Sequence, residues 1–185
     1  MQPIRESHPL KRFFHGLVEN VFVAELGICN PEIVEYLAEL LTEFIHVDRL
    51  HAVRDAEGRP LSQVADMLAL AVAAESADLS AAERTGLVYR HIGDYTLFWS
   101  GVYPEALRAR AAAHARDRLL NYVQQGKRSY AIASELIHDD SIPPPALLRQ
   151  LSDHFESCAH GLELVRREWE HDPSENSGAY AALLY

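Results

Sequence analysis

The stretch from Leu87 to Glu105, LVYRHIGDYTLFWSGVYPE, constrains the fold more than any other part of this chain. At about 100° per residue, one face of a helix here carries Leu87, His91, Asp94 and Phe98, and the neighbouring face carries Val88, Ile92, Tyr95 and Trp99. Only Arg90 and two glycines interrupt the apolar surface. Because such a helix must be covered on most sides, it predicts the centre of an all-α domain.

Helix boundaries elsewhere in the chain predict further helices around this one. Gly27 suits the left-handed residue that follows a helix, and Asn30-Pro31-Glu32 combines a cap, a proline and an acid at the next helix start. The 185 residues, 48% of them hydrophobic and 24% charged, can bury a substantial core. We therefore expect a single-domain helical bundle of about six or seven helices. It would span residues 1–171 around a buried central helix at about 81–100, and a C-terminal tail would follow at 172–185.

Charge and cysteine content exclude several classes of partner and compartment. A formal net charge of -10 argues against a nucleic acid or an anionic membrane, since both require a basic surface. The most apolar segment, 64–74, is too short to span a bilayer. Two cysteines are too few for a disulfide framework. These features predict a soluble, cytoplasmic protein with no nucleic-acid or membrane partner.

The last predicted helix carries apolar residues at alternating spacings of three and four. They are Leu148, Leu151, Phe155, Cys158, Leu162, Val165 and Trp169. This is the heptad spacing of helices that pack side by side. Such a seam is buried either within the bundle or between two copies of the chain, and the sequence leaves both arrangements open.

His91 and Asp94 are the polar residues that the central helix is expected to bury. They are three residues apart and thus neighbours on a helix. An ionised carboxylate on a buried face must be paired or accept several hydrogen bonds, so Asp94 is expected to bond another helix's backbone or an arginine. One interpretation is a structural anchor. The other is a ligand pocket along the helix formed by His91, Asp94, Tyr95, Trp99 and Tyr103.

Two Glu-x-x-His pairs, Glu43–His46 and Glu135–His138, match the ligand spacing of di-iron bundles. On helical wheels three of these four residues point away from the apolar stripes, whereas the ligands of a bundle-core site must point inward. The prediction is therefore that no metal is bound. The chain also has no G-x-S-x-G elbow and no phosphate-cradling glycine loop, so whether it is an enzyme stays open.

Two family resemblances rest on short motifs. The pattern G-D-x-x-L-F-x-x-G-x-x-P-E, Gly93 to Glu105, resembles an uncharacterised family of bacterial all-α proteins. More distantly, YRHIGD at 89–94 and HGLVEN at 15–20 look like the distal-helix and heme-ligand segments of heme oxygenases. That second resemblance implies heme as a cofactor, His15 as the proximal ligand, and Gly93 and Asp94 on the distal side.

From these features we expect a soluble bacterial protein that is a non-enzymatic binding or protein-interaction module without a cofactor. Its partner would be another protein or a second copy of the chain. The alternative is a heme- or small-ligand-binding protein, or an oxygenase, of heme oxygenase-like architecture.

Overall fold

A computed structural model describes residues 9–44, 52–55, 57–73, 79–106, 121–138 and 143–171. Within these ranges the protein has eight helical segments and no β-strand, which confirms the all-α fold class. The described residues contain one isolated antiparallel β-bridge, between Arg54 and Pro60. The predicted tail at 172–185 and the predicted metal-pair residue His46 lie outside the described residues.

The described helices are seven α-helices and one π-helix. In chain order they are α1 (Pro9–Glu19), π1 (Asn20–Glu25), α2 (Pro31–Phe44), α3 (Val64–Ala73), α4 (Leu79–Gly101), α5 (Tyr122–Leu136), α6 (Pro145–Asp153) and α7 (Phe155–His171). Two of the predicted helices are each divided: the first passes into π1 at Asn20, and the last is interrupted at His154.

The boundaries of α2 follow from its sequence. Gly27 has a φ of 67°, the left-handed conformation that suits glycine, and it turns the chain after π1. The Asn30 side chain then accepts hydrogen bonds from the backbone N–H groups of Glu32 and Ile33, at 3.1 and 3.3 Å. Pro31 occupies the first helical position, where a missing N–H costs nothing. The predicted cap is therefore confirmed.

Helix α4 is the central helix, and every residue from Ile92 to Phe98 is buried. It packs against α2, α3, α5 and α7, so most of its circumference is covered at this level. Its first half is less enclosed, and Leu87 is 49% exposed. The prediction that Leu87 shares a buried face with Asp94 is therefore wrong, because the covering helices close over that face only further along α4.

The heptad seam of α6 and α7 is buried within a single chain. Its seven residues are between 0% and 6% exposed and belong to the common hydrophobic core. Leu162 lies against the backbone of Gly101 in α4, where an added β-carbon would be 2.8 Å from the leucine's own Cβ. The structure therefore selects the intrachain arrangement that the sequence left open.

Among the described helices, none is both long and apolar enough to cross a membrane.

Candidate functional site

Asp94 is the centre of a polar network that joins three helices. Its Oδ1 accepts hydrogen bonds from the Tyr36 hydroxyl of α2 at 2.5 Å and the Tyr130 hydroxyl of α5 at 2.8 Å. Its Oδ2 lies 3.6 Å from Nε of Arg90, one turn earlier on α4. The residue is only 7% exposed, so these partners replace most of the water that an ionised carboxylate requires.

Arg90 extends the network toward solvent. Its Nε donates a hydrogen bond of 3.3 Å to the Tyr36 hydroxyl, and its guanidinium carbon lies 5.7 Å from the centre of that tyrosine ring. The Arg90 side chain is 28% exposed. Its two terminal nitrogens donate no hydrogen bond to any residue that the structure describes. The network thus fixes one edge of the guanidinium and leaves the other edge available.

Burial and charge set the protonation states in this network. Burial, and then the charge of Asp94, raise the pKa of Tyr36 and of Tyr130 well above their usual value. Burial lowers the pKa of Arg90, but Tyr36 and Asp94 raise it by more, so the net change is upward. At neutral pH both tyrosines therefore carry their protons as hydrogen-bond donors, and Arg90 carries its charge.

Beside the network lies a cavity of about 150 Å³, which we call the Asp94 recess. The His91 ring forms one wall and stacks on Phe44, with ring centres 5.9 Å apart. A narrower cavity of about 30 Å³, bordered by Tyr36 and Glu39, shares three of the recess's lining residues. The recess itself is lined by Glu43, Phe44, Ala52, Leu87, Arg90, His91 and Asp94. It offers a cation, carboxylates and aromatic faces within one small volume.

The five residues predicted to line a ligand pocket divide into two groups. His91 and Asp94 line the Asp94 recess. Tyr95 and Trp99 of α4 form a row with Tyr103, which lies two residues beyond the end of that helix, and adjacent ring centres are 6.1 Å apart. Tyr95 is 1% exposed, and its hydroxyl donates to the Ser62 carbonyl at 3.0 Å. These three aromatic residues are absent from the lining of the recess, and they build the packing around the central helix.

The sequence interpretation missed Tyr36 and Tyr130, considered Glu43 only as half of a metal pair, and treated Arg90 only as an interruption of the apolar surface. The arginine expected near Asp94 is present as Arg90, at 3.6 Å. The hydrogen bonds come from tyrosine hydroxyls and, among the described residues, not from the backbone of another helix. One local signal was available, because Arg90 and Asp94 are four residues apart and so adjacent on a helix. The tyrosines are distant in sequence and gave no comparable signal.

The residues implied by the heme oxygenase resemblance do not share a cavity. His15 is 40% exposed and lies 3.3 Å from the Glu35 carboxylate, in a surface cavity between α1 and α2. Gly93 faces the Tyr130 ring, and a β-carbon added there would be 2.7 Å from ring atoms. Because the ring fills the space that a heme would need against Gly93, these residues do not fit that group in this conformation. Heme binding stays an untested prediction.

In the parts of the chain that the structure describes, no three histidine, cysteine, aspartate or glutamate side chains converge as metal ligands would. Of the two Glu-x-x-His pairs, Glu135 and His138 are both exposed on the surface.

Comparison with known proteins identifies no relative: no family model, no curated protein and no solved structure matches the chain. The fold and the site together define the class, an all-α bundle with a buried carboxylate network that opens into a charged recess.

Proposed function

We propose that this chain is a non-enzymatic binding protein that holds a small polar molecule in the Asp94 recess. The observation that carries the proposal is the position of Arg90. Its guanidinium is fixed on one edge by Tyr36 and Asp94, and its terminal nitrogens are uncommitted among the described residues. A partly buried arginine with free, oriented donors is suited to a carboxylate or another oxygen acceptor.

The recess also limits the size and chemistry of the ligand. A volume of about 150 Å³ corresponds to a molecule the size of benzene. Arg90 would bind its acceptor group, and Glu43 would accept a donor or a cationic group. The ring faces of His91 and Phe44 would cover its apolar part. The favoured class is therefore a small organic acid or amino acid.

The protonation states favour binding over catalysis. One oxygen of Asp94 already accepts two hydrogen bonds, and the raised pKa of both tyrosines keeps their protons in place near neutral pH. These groups are thus set to orient Arg90, whereas a general acid or base needs a pKa near the working pH.

The cytoplasmic location and the bacterial origin belong to the same proposal. The location is supported by the two cysteines, which are both free: Cys29 is exposed, and Cys158 is buried in the core.

The test is nitrogen-15 NMR of the purified protein, titrated separately with acetate, glycine, methylamine and benzoate. We expect at least one carboxylate to shift the Arg90 side-chain Nε–H signal and the signals around His91. The variant Arg90→Lys keeps the charge but removes the planar guanidinium, so it should abolish the shifts around His91, which remain observable in the variant.

The matched control is Arg149→Lys, because Arg149 also faces an aspartate four residues away, at 3.8 Å on the surface. This variant should bind as the parent does. If millimolar concentrations of all four probes leave the Arg90 signal unmoved, the recess does not hold a small polar ligand and the proposal is wrong.

A further inference from the structure

A second and larger cavity, lined in part by Tyr36 and Arg90, lies between α2 and the start of α6. We call it the α2–α6 groove, and its volume is about 440 Å³. Its apolar side includes Pro31, Pro144 and Leu147, and its acidic side carries Glu32, Glu35 and Glu39. Apolar residues and carboxylates thus line the same groove.

The acidic side follows from the spacing in α2. Glu32, Glu35 and Glu39 are three and four residues apart, so their side chains lie along one edge of the helix. Lys11 of α1 contacts both Glu35 and Glu39, at 2.8 Å each. The edge thus carries three carboxylates, of which two contact Lys11, and the Arg90 guanidinium also lines the groove. The Glu32 carboxylate forms no ion pair with any described residue, so this end of the groove stays negative.

We propose that the α2–α6 groove binds a short basic and apolar segment of a partner protein. An apolar side chain of that segment would pack against Pro144 and Leu147. Lysine or arginine side chains beside it would pair with the acidic edge, above all with Glu32. The proposed segment differs from the ligand of the Asp94 recess, because Glu32 and Leu147 line the groove and not the recess, whereas Arg90 lines both cavities.

Charge decides between a basic partner and a second copy of the chain. The chain carries 27 acidic and 17 basic side chains. Two copies meeting at this acidic edge would bring like charges together, which opposes association. A basic segment gains attraction at the same place, and that attraction also speeds the encounter.

The experiment uses a fluorescein-labelled peptide of eight alternating lysine and leucine residues. Anisotropy is measured at about physiological ionic strength, where non-specific attraction is largely screened. Two control peptides replace either every lysine with glutamate or every leucine with serine. We expect the parent protein to bind the lysine–leucine peptide and neither control.

Variants then locate the binding. Glu32→Lys reverses an exposed charge in the groove and should weaken peptide binding about tenfold. Glu57→Lys makes the same charge change on an exposed loop outside the groove, and its affinity should stay within about twofold of the parent's. Circular dichroism confirms that both variants are folded.

Four results would overturn the proposal: no peptide binding, equal binding of the serine peptide, equal losses in Glu32→Lys and Glu57→Lys, or a dimer that Glu32→Lys dissociates in light scattering. Equal losses in the two variants would mean that net charge alone attracts the peptide. A dimer that Glu32→Lys dissociates would mean that the groove binds a second copy of the chain.

Discussion

Tyr130 of α5 donates a hydrogen bond of 2.8 Å to Asp94 of α4. The ring of the same tyrosine covers the adjacent Gly93, so close that a side chain at position 93 would overlap it. Tyr130 therefore contributes both a hydrogen bond and close steric packing to the contact between α4 and α5. The contact fixes the register of α5 against the central helix, and through Tyr36 it also ties α2 to both of them.

Removing the charge of Asp94 should destabilise the fold. Asp94→Asn keeps the shape but places an amide among two hydroxyl donors and leaves Arg90 without its counter-ion. We expect the free energy of unfolding to fall by roughly 2–4 kcal/mol, measured by chemical denaturation.

The control for this variant is Asp153→Asn. Asp153 faces Arg149 four residues away at 3.8 Å, in the same local arrangement, but its side chain is 59% exposed. Its loss should stay below about 1 kcal/mol. If Asp94→Asn is at least as stable as the parent, Asp94 is held for ligand binding at a cost in stability, and its role as an anchor is refuted.

The Gly93 contact predicts a second stability change. In Gly93→Ala the new methyl group would lie 2.7 Å from the Tyr130 ring, so the ring or the helix must shift. Overpacking of this kind should cost about 1–3 kcal/mol in thermal or chemical unfolding.

Gly16→Ala is expected to change the stability in the opposite direction. Gly16 lies inside α1, and a β-carbon there meets no atom within 4 Å. Alanine at this position should stabilise the protein by about 0.5–1 kcal/mol, because glycine disfavours helices. If both alanine variants stabilise the protein, Tyr130 does not pack on Gly93 as described.

Leu162→Asp tests the intrachain seam. Leu162 is fully buried between α7 and α4, so an aspartate there would be an unpaired buried charge. We expect an unfolded chain by circular dichroism. Leu87→Asp, on the exposed side of α4, should stay folded and lose less than about 1 kcal/mol. A folded monomeric Leu162→Asp variant, derived from a dimeric parent in light scattering, would instead place the seam between two copies.

The fold class and the central helix were predictable because they depend on local patterns. The spacing of apolar residues identified α4 and the α6–α7 seam, and the Asn30-Pro31 pair identified the start of α2. The exposure of Leu87 was not predictable. Periodicity gives the direction of a side chain around its helix, but only the neighbouring helices determine how far along that helix the cover extends.

The sequence predicted the buried carboxylate of the candidate site but not the residues that bond it. A buried aspartate requires partners, so the burial of Asp94 and the need for a compensating group follow from its position. The identity of those groups does not. Tyr36 and Tyr130 are 58 and 36 residues away from Asp94, and as buried aromatic residues on helices they look like any others in the core. Only the packing of three helices shows that their hydroxyls converge.

The tyrosine network predicts a loss of stability at alkaline pH. Burial and Asp94 raise the pKa of Tyr36 and Tyr130 in the folded state, whereas in the unfolded chain both groups titrate near pH 10. Their contribution is therefore fully present below about pH 10 and decreases as the pH rises from there toward the folded-state pKa. Each tyrosine should lower the free energy of unfolding by up to about 1.4 kcal/mol per pH unit in that range.

Urea denaturation between pH 8 and pH 11 measures this slope for the parent and for Tyr36→Phe. The variant lacks one titrating hydroxyl, so it should be less stable at pH 8, where Asp94 has lost a donor, yet its stability should fall less steeply above pH 10. The difference in slope should approach the contribution of one tyrosine. Comparing slopes cancels the lysines and the exposed tyrosines, which titrate alike in both proteins. Equal slopes would mean that the Tyr36 hydroxyl ionises in the folded protein as it does in water, and that it is not buried against Asp94.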